Sequence, residues 1–305
     1  VDIGCGVLAA NLGMAEIDLP ALDKFIHNEI PHGFRIYDKP LTLRPTLLDE
    51  EIAMVCAHNE YDYNKALRSI GTLGGGNHFI ELDVDQYGNT WLLIHSGSRN
   101  FGLPIAEFTR KRAKETMKEY FIEGLYPPGL EFLPPSHPGH FDYRDQQGVA
   151  VRFARINREA ILERISDYLF RAPAEHVESV HNYISCDGTI RKGAIAAEKG
   201  RRCVIPFNMR DGAIIGVGKG SSPHNFSAPH GAGRLMSRKK AKETLDVEAF
   251  KAGMDAAGVY TTTAGKGTLD EAPEAYKPAE AIKALLTETV DVTHTLKPIY
   301  NFKAS

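Results

Sequence analysis

The chain lacks paired cysteines. Cys5, Cys56, Cys186 and Cys203 stand apart with no C-x-x-C spacing, which argues against a disulfide framework and against a structural zinc knuckle, and predicts a reducing, cytosolic setting. No run of about 18 apolar residues occurs, and no charged segment leads into an apolar one at the start, so nothing in the sequence argues for a membrane or for export. A basic excess is missing too. With 36 Lys and Arg against 39 Asp and Glu, the formal net charge is −3, which excludes a protein that coats nucleic acid indiscriminately, because neutralising phosphates takes a surplus of cations. Local basic patches remain at Arg110-Lys111-Arg112, at Arg191-Lys192 with Arg201-Arg202, and at Arg234 with Arg238, Lys239, Lys240 and Lys242. Taken singly, each reads as a solvated helix face.

Several catalytic signatures are also absent. There is no GxxxxGK[ST] phosphate loop, no HExxH zinc helix, no GxSxG elbow and no Lys-x-Asp-Gly nucleophile motif, which removes P-loop, metalloprotease, α/β-hydrolase and lysine-adenylating chemistry. Gly216 to Gly220, GVGKG, is not a dinucleotide loop, since its third glycine is misplaced.

What is present is a chain of 305 residues, 43% of them hydrophobic, long enough to bury a large core as one big domain or two ordinary ones. The opening VDIGCG reads as a short apolar strand running into a glycine turn. That is an abrupt place for a chain to begin, and a true N-terminus further upstream is expected. Apolar spacing predicts helices over Leu47 to His58, Pro104 to Gly124 and, longest, Tyr143 to Arg171. Between the last two, Tyr126 to Gly139 is too rich in proline for regular structure and reads as a lid or connector. Ser179 to Ile184, Ala194 to Phe207 and Ala213 to Val217 are short β-branched runs, a basic helix is expected after Gly233, another helix over Glu274 to Thr289, and a strand over Val290 to Phe302. With no internal repeat, the class is α+β with mixed or antiparallel sheets.

The residues able to do chemistry sit in glycine-rich turns. Asp2 and Cys5 are close enough to reach one ion if the backbone turns at Gly4. His78 in LGGGNHFIEL, His95 ending WLLIH, and His181 in SVHNYIS each stand where a strand meets a turn. An acid, a thiolate and three imidazoles could hold two divalent ions with the sulfur bridging both, a donor set suited to manganese or zinc. His27, His32, His58, His137, His140, His176, His224 and His294 lie in helical, proline-rich or plain polar settings and read as structural. His230 differs: in SAPHGAGRLMSRKKAK its small neighbours leave room for a phosphate, while Arg234 and the start of the basic helix offer positive charge and free N–H groups.

Taken in order, VDIGCG, GGGNHFIE, HSGSR, the HN of SVHNYIS, RKGA and HGAGR resemble the RtcB RNA ligases over almost the whole chain. The resemblance implies an RtcB-like catalytic domain across residues 1–305 built around a central metal cleft, with a family segment preceding it that this sequence does not contain. It implies two manganese ions held by Asp2, Cys5, His78, His95 and His181, and GTP as the source of a guanylate carried covalently by His230. Asn77, Glu81, Asn182, Ala232 and Arg234 match guanylate or phosphate contacts, Tyr276 and Lys303 match residues near the base, and Arg99 matches one nearer the RNA phosphates. The implied activity joins an RNA 3′-phosphate or 2′,3′-cyclic phosphate to a 5′-hydroxyl in tRNA splicing or RNA repair, with an activating protein such as archease as a partner. A histidine nucleophile predicts activity that falls as His230 protonates. The chain departs from the family's PGSMG wording at Phe207, Asn208, Met209, Arg210 and Asp211, which predicts a different substrate preference. Two other readings remain: a metal-dependent phosphohydrolase acting on RNA ends, which leaves His230 idle, and a noncatalytic RNA-binding protein, which would tolerate Cys5→Ala.

Overall fold

One curled antiparallel sheet positions most of the residues singled out above. The structure, a computed structural model, describes residues 2–42, 48–120, 122 and 124–304. In chain order its elements are β1 (Gly6–Asn11), α1 (Leu19–Glu29), α2 (Leu48–His58), α3 (Tyr63–Arg68), β2 (Phe79–Asp85), β3 (Thr90–Ser96), α4 (Gly102–Glu119), α5 (Pro138–Leu169), β4 (Glu175–Val180), β5 (Asn182–Ile184), β6 (Ile190–Lys192), β7 (Ala194–Ala196), β8 (Arg202–Asn208), β9 (Gly212–Gly218), β10 (Ser227–Pro229), α6 (Arg238–Thr244), α7 (Val247–Ala256), α8 (Ala279–Leu285) and β11 (Val290–Lys303). The class is α+β, and every pairing between named strands is antiparallel.

The main sheet runs β4-β1-β3-β2-β11-β9-β8. Period-2 alternation gives it two apolar faces. On the concave side, Val7, Ala9, Phe79, Trp91, Leu93, Val177, Val204, Ala213, Ile215 and Leu296 form one cluster to which all seven strands contribute. The edge strands also approach each other, with the Val204 N–H donating to Ser179 Oγ at 2.9 Å, so the sheet curls almost shut. On the convex side, Ile80, Leu82, Leu92, Ile94, Tyr300 and Phe302 pack on Leu22, Ile26 and Ile30 of α1 and on Ile161 and Ile165 of α5. Each such Leu or Ile contributes about 1.5–3 kcal/mol by leaving water. α5 is also buried against α2 and α4, where Phe153 stacks on Phe101 at 4.5 Å. Among the described residues, no helix is long and apolar enough to cross a membrane.

Several expected boundaries move. The opening motif turns first and extends afterwards: Gly4 adopts φ +76°, the Cys5 N–H bonds back to the Asp2 carbonyl at 3.2 Å, and the strand begins only at Gly6. α5 starts inside the proline-rich tract, because Pro138 occupies its first turn and the His137 ring accepts from the Gly139 N–H; proline lacks the N–H that this position leaves unbonded anyway. The basic helix begins at Arg238, capped by Ser237, so Arg234 lies outside it and His230 is not at its start. The segment 274–289 is divided into a 3₁₀ turn Pro273–Ala275, α8, and a 3₁₀ turn Leu286–Glu288, since Pro278 cannot sit inside a helix. α1, α3 and α7 were not anticipated. Val1, Leu47 and residues 121 and 123 of the expected elements lie outside the described residues.

Candidate active site

Strand register explains how residues far apart in sequence meet. Gly6 of β1 pairs with both Ser96 of β3 and Val180 of β4, and Phe79 of β2 pairs with His95. The N-terminal ends of β1 and β2 therefore share one rim of the sheet with the C-terminal ends of β3 and β4. Cys5, His78, His95 and His181 occupy that rim, each at or beside a strand end, and the turn before β1 brings Asp2 to them.

The donor atoms converge. Cys5 Sγ lies 3.2 Å from His95 Nε2 and 3.6 Å from His78 Nε2. His95 Nε2 lies 3.3 Å from His181 Nε2, and His78 Nε2 lies 3.1 Å from Asp2 Oδ2. Two three-donor groups result, Cys5 with His95 and His181, and Asp2 with Cys5 and His78, with the sulfur common to both. Donor atoms of three ligand types this close together suit a cation. Burial pushes the Cys5 thiol well up, reinforced by the Asp2 charge, so a bound cation is what would hold it as a thiolate. Burial also pushes His95 well down, helped by His181 and His78, and takes His181 to about 3. Neutral His95 and His181, with an Asp2 carboxyl that despite burial is held below its usual range by His78 and Ser98, form with Cys5 and His78 a set that fits divalent transition ions.

The surroundings fix these donors. The Asn77 carbonyl can only accept, so His95 Nδ1, 3.0 Å away, must carry the proton, leaving Nε2 bare. Asp2 Oδ1 takes the Ser98 N–H at 2.9 Å and the Ser98 hydroxyl at 3.2 Å. Arg158, fully buried, donates to the carbonyls of Gly4 and Ser96 at 2.9 and 2.6 Å and to Glu178 at 2.8 Å. Asn157 accepts from the N–H groups of Gly71 and Thr72 and donates to Thr72 O, Ser96 Oγ and Gly97 O. These two consecutive residues of α5 clamp the segments that carry Cys5, His78 and His95.

His230 follows β10, which pairs with β7. Its ring stands 5.0 Å from that of His181, and its Nδ1 edge faces Gly193. Burial lowers its pKa, while a hydrogen bond to the Gly193 carbonyl works in the opposite direction. The His230 main-chain N–H donates to the Gly193 carbonyl at 3.4 Å, and a neutral ring keeps a nitrogen lone pair. Its small neighbours serve packing as well as access: Gly231 has φ +154°, and a Cβ there would lie 2.4 Å from the Pro206 carbonyl oxygen.

His230 and His181 open onto a small cleft of about 70 Å³, also walled by Asn77, Glu81, Ala232, Tyr276, Asn301 and Lys303. Glu81 is buried and accepts from the Asn301 amide; burial pushes its carboxyl up, as it does that of its neighbour Asp83. Lys303 Nζ reaches the Asn77 carbonyl at 3.3 Å.

Of the residues matched to nucleotide or RNA contacts, three lie off the cleft wall. The Asn182 amide donates to the Asp2 carbonyl. Arg234 stands behind Tyr276, its guanidinium 5.1 Å from the ring centroid. Arg99 is turned toward the metal rim, bonding Thr72 Oγ1 at 2.8 Å and the Gly33 carbonyl at 2.7 Å. In the divergent hairpin, the Asn208 amide is committed to Asp211 and to the backbone of Arg210 and Asp211. The sequence reading missed Glu271, Asn301, Asn157 and Arg158. Asn301 was within reach, two residues before Lys303 and so on the same strand face.

The tRNA-splicing ligase RtcB family model matches residues 48–304. The RNA-splicing ligase RtcB of Escherichia coli K12 is 31% identical to the chain over 98% of its length and 81% of that protein. RNA-splicing ligase RtcB2 of E. coli ATCC 25922 is 26% identical over 100% and 79%. The tRNA-splicing ligase RtcB of Aeropyrum pernix is 28% identical over 72% and 55%.

Proposed function

Because the chain belongs to the RtcB family of RNA-splicing ligases, we propose that it seals RNA ends at the expense of GTP, with His230 as the group that takes up the guanylate. The single observation that carries this reading is the place of His230, its ring 5.0 Å from that of His181 and beside two three-donor groups that share the Cys5 sulfur. Asp2, Cys5, His78, His95 and His181 would hold two divalent ions, manganese or zinc. Bound there, the ions would neutralise phosphate charge and polarise P–O bonds.

The rest falls to the chain's own side chains. Gly193 accepts the His230 main-chain N–H, and the unprotonated ring nitrogen attacks the α-phosphorus of GTP, forming a P–N bond as the bond to pyrophosphate breaks. An oxygen of the RNA 3′-phosphate then displaces the ring nitrogen and takes the guanylate. Where the end is a 2′,3′-cyclic phosphate, water opens it first. The RNA 5′-hydroxyl finally attacks the activated 3′-phosphorus, its proton leaves, and GMP departs. Glu81, Tyr276 and Lys303 wall the cleft where the base would lie.

Incubation with manganese and GTP labelled at the α-phosphate, followed by denaturation, tests this. Wild-type chain should retain acid-labile label and His230→Ala should retain none. Opening of a cyclic phosphate end with no labelled chain would favour a phosphohydrolase and leave His230 structural.

A further inference from the structure

Glu271 is 1% exposed, at the end of the 3₁₀ turn Lys266–Glu271. One carboxylate oxygen receives the Tyr276 hydroxyl at 2.5 Å and stands 3.1 Å from Lys303 Nζ. The other receives Arg234 Nη1 at 3.2 Å and Arg238 Nη1. A single carboxylate thus serves four side chains from three separate stretches of chain, and two of them, Tyr276 and Lys303, wall the cleft. Burial opposes its ionisation, yet Lys303, Tyr276 and Arg238 together hold it below the usual carboxylate range.

Tying a short turn to its neighbours would need one partner, and an apolar residue would serve as well. Four convergent donors do something else: they lock long, rotamer-rich side chains in one arrangement before any ligand arrives. The neighbouring Asp270 extends the network to Arg238 at 2.6 Å and Lys242 at 3.2 Å.

We propose that Glu271 is the positioning residue of the nucleotide pocket, holding Tyr276 and Lys303 in the cleft wall and restraining Arg234 and Arg238 behind it, so that a guanylate meets preorganised donors. The inference rests on the guanylate reading above and deepens it. Glu271 touches neither the reacting phosphorus nor His230; it acts through its four partners.

The test is calorimetric titration of GMP into the full manganese-loaded chain, for wild type, Glu271→Gln and Glu271→Asp, with manganese affinity and urea midpoint measured alongside. Glu271→Gln keeps the shape but removes the charge, and should weaken GMP at least tenfold with manganese affinity unchanged. Glu271→Asp keeps the charge and should recover part of that loss. GMP affinity in Glu271→Gln within twofold of wild type overturns the proposal, as does a parallel fall in GMP and manganese affinity, which marks a merely structural role. Should Glu271→Gln not fold, Glu271→Asp decides, with a loss of threefold or more expected and one within twofold overturning. Wild-type chain that binds no GMP overturns both this inference and the guanylate reading, an outcome distinct from a failure of Glu271 alone.

Discussion

Replacing Asn157 by leucine, which has the same branching and number of side-chain heavy atoms, asks how much one buried amide contributes to the donor rim. The Asn157 amide makes five hydrogen bonds at 2.8–3.2 Å. In Asn157→Leu the N–H groups of Gly71 and Thr72 lose the partner they share, and the Gly97 carbonyl loses a donor. Each stranded buried N–H costs about 1–3 kcal/mol. The added apolar contact returns only about 1 kcal/mol. The net expectation is a destabilisation of about 3–4 kcal/mol. With a slope of about 3 kcal/mol per molar, the urea midpoint falls by roughly 1 M. Because Thr72 leads into the turn bearing His78, and Ser96 and Gly97 follow His95, manganese affinity should fall in the same variant. Equilibrium urea unfolding followed by circular dichroism, with metal titration of the native form, measures both. A midpoint shift below about 0.3 M, or a destabilised chain with wild-type manganese affinity, would refute the idea that this amide braces the rim.

Three further outcomes are expected. Cys5→Ala removes the donor common to both three-donor groups and should abolish binding of both ions, whereas Asp2→Ala should leave the ion held by Cys5, His95 and His181; metal content per chain after gel filtration separates the two. In Gly97→Ala the new Cβ would lie 2.2–2.3 Å from the Asp2 carboxylate atoms, so Asp2 must move, and one manganese should weaken by about tenfold or more while the other is unaffected, as read by titration. The Glu81–Asp83 pair gives a pH dependence. Burial raises both carboxyls, so the folded chain retains protons that the unfolded chain has released, and stability should fall as pH climbs above about 4, by at most about 1.4 kcal/mol per pH unit for each proton. Asp83→Asn should flatten the fall in urea midpoint between about pH 5 and 8; an unchanged slope would show that the pair does not titrate there.

The rim was legible in the sequence because each donor abuts a strand end in a glycine-rich turn, and such turns leave a local signature. Cys5, His78, His95 and His181 could be picked out before any pairing was known. What stayed hidden depends on partners distant in sequence. Glu271 looks like an ordinary surface acid in LDEAPEAY until Arg234, Arg238 and Lys303 close around it. Asn157 and Arg158 are polar residues in an amphipathic helix, and only the packing of α5 against the strand ends turns them inward. The helix expected over 274–289 is shortened to α8 for a local reason, Pro278 at its start, and the opening strand was misplaced because Gly4 takes a left-handed conformation that composition alone does not reveal. The α+β class was readable from the short β-branched runs between helical stretches, but the choice between mixed and antiparallel sheets, and the curling of the sheet until β4 meets β8, were not.

β11 has a consequence for the birth of the protein on the ribosome. Its first half pairs with β9 and its second half with β2, and it alone joins the strands of the metal rim to β9 and β8 in sheet order. Translation at about 5–20 residues per second leaves roughly 6–25 s between residue 181, the last rim histidine, and residue 303. Throughout that interval the rim histidines have been made while β2 presents an unpaired edge open to other nascent chains, and β9 (Gly212–Gly218) adds a second such edge once it is made. Asn301 and Lys303 arrive last, so the pocket wall is finished by the same event that seals those edges. A chain interrupted before β11 would carry the rim donors with a cleft wall that lacks Asn301 and Lys303, and would be prone to aggregate.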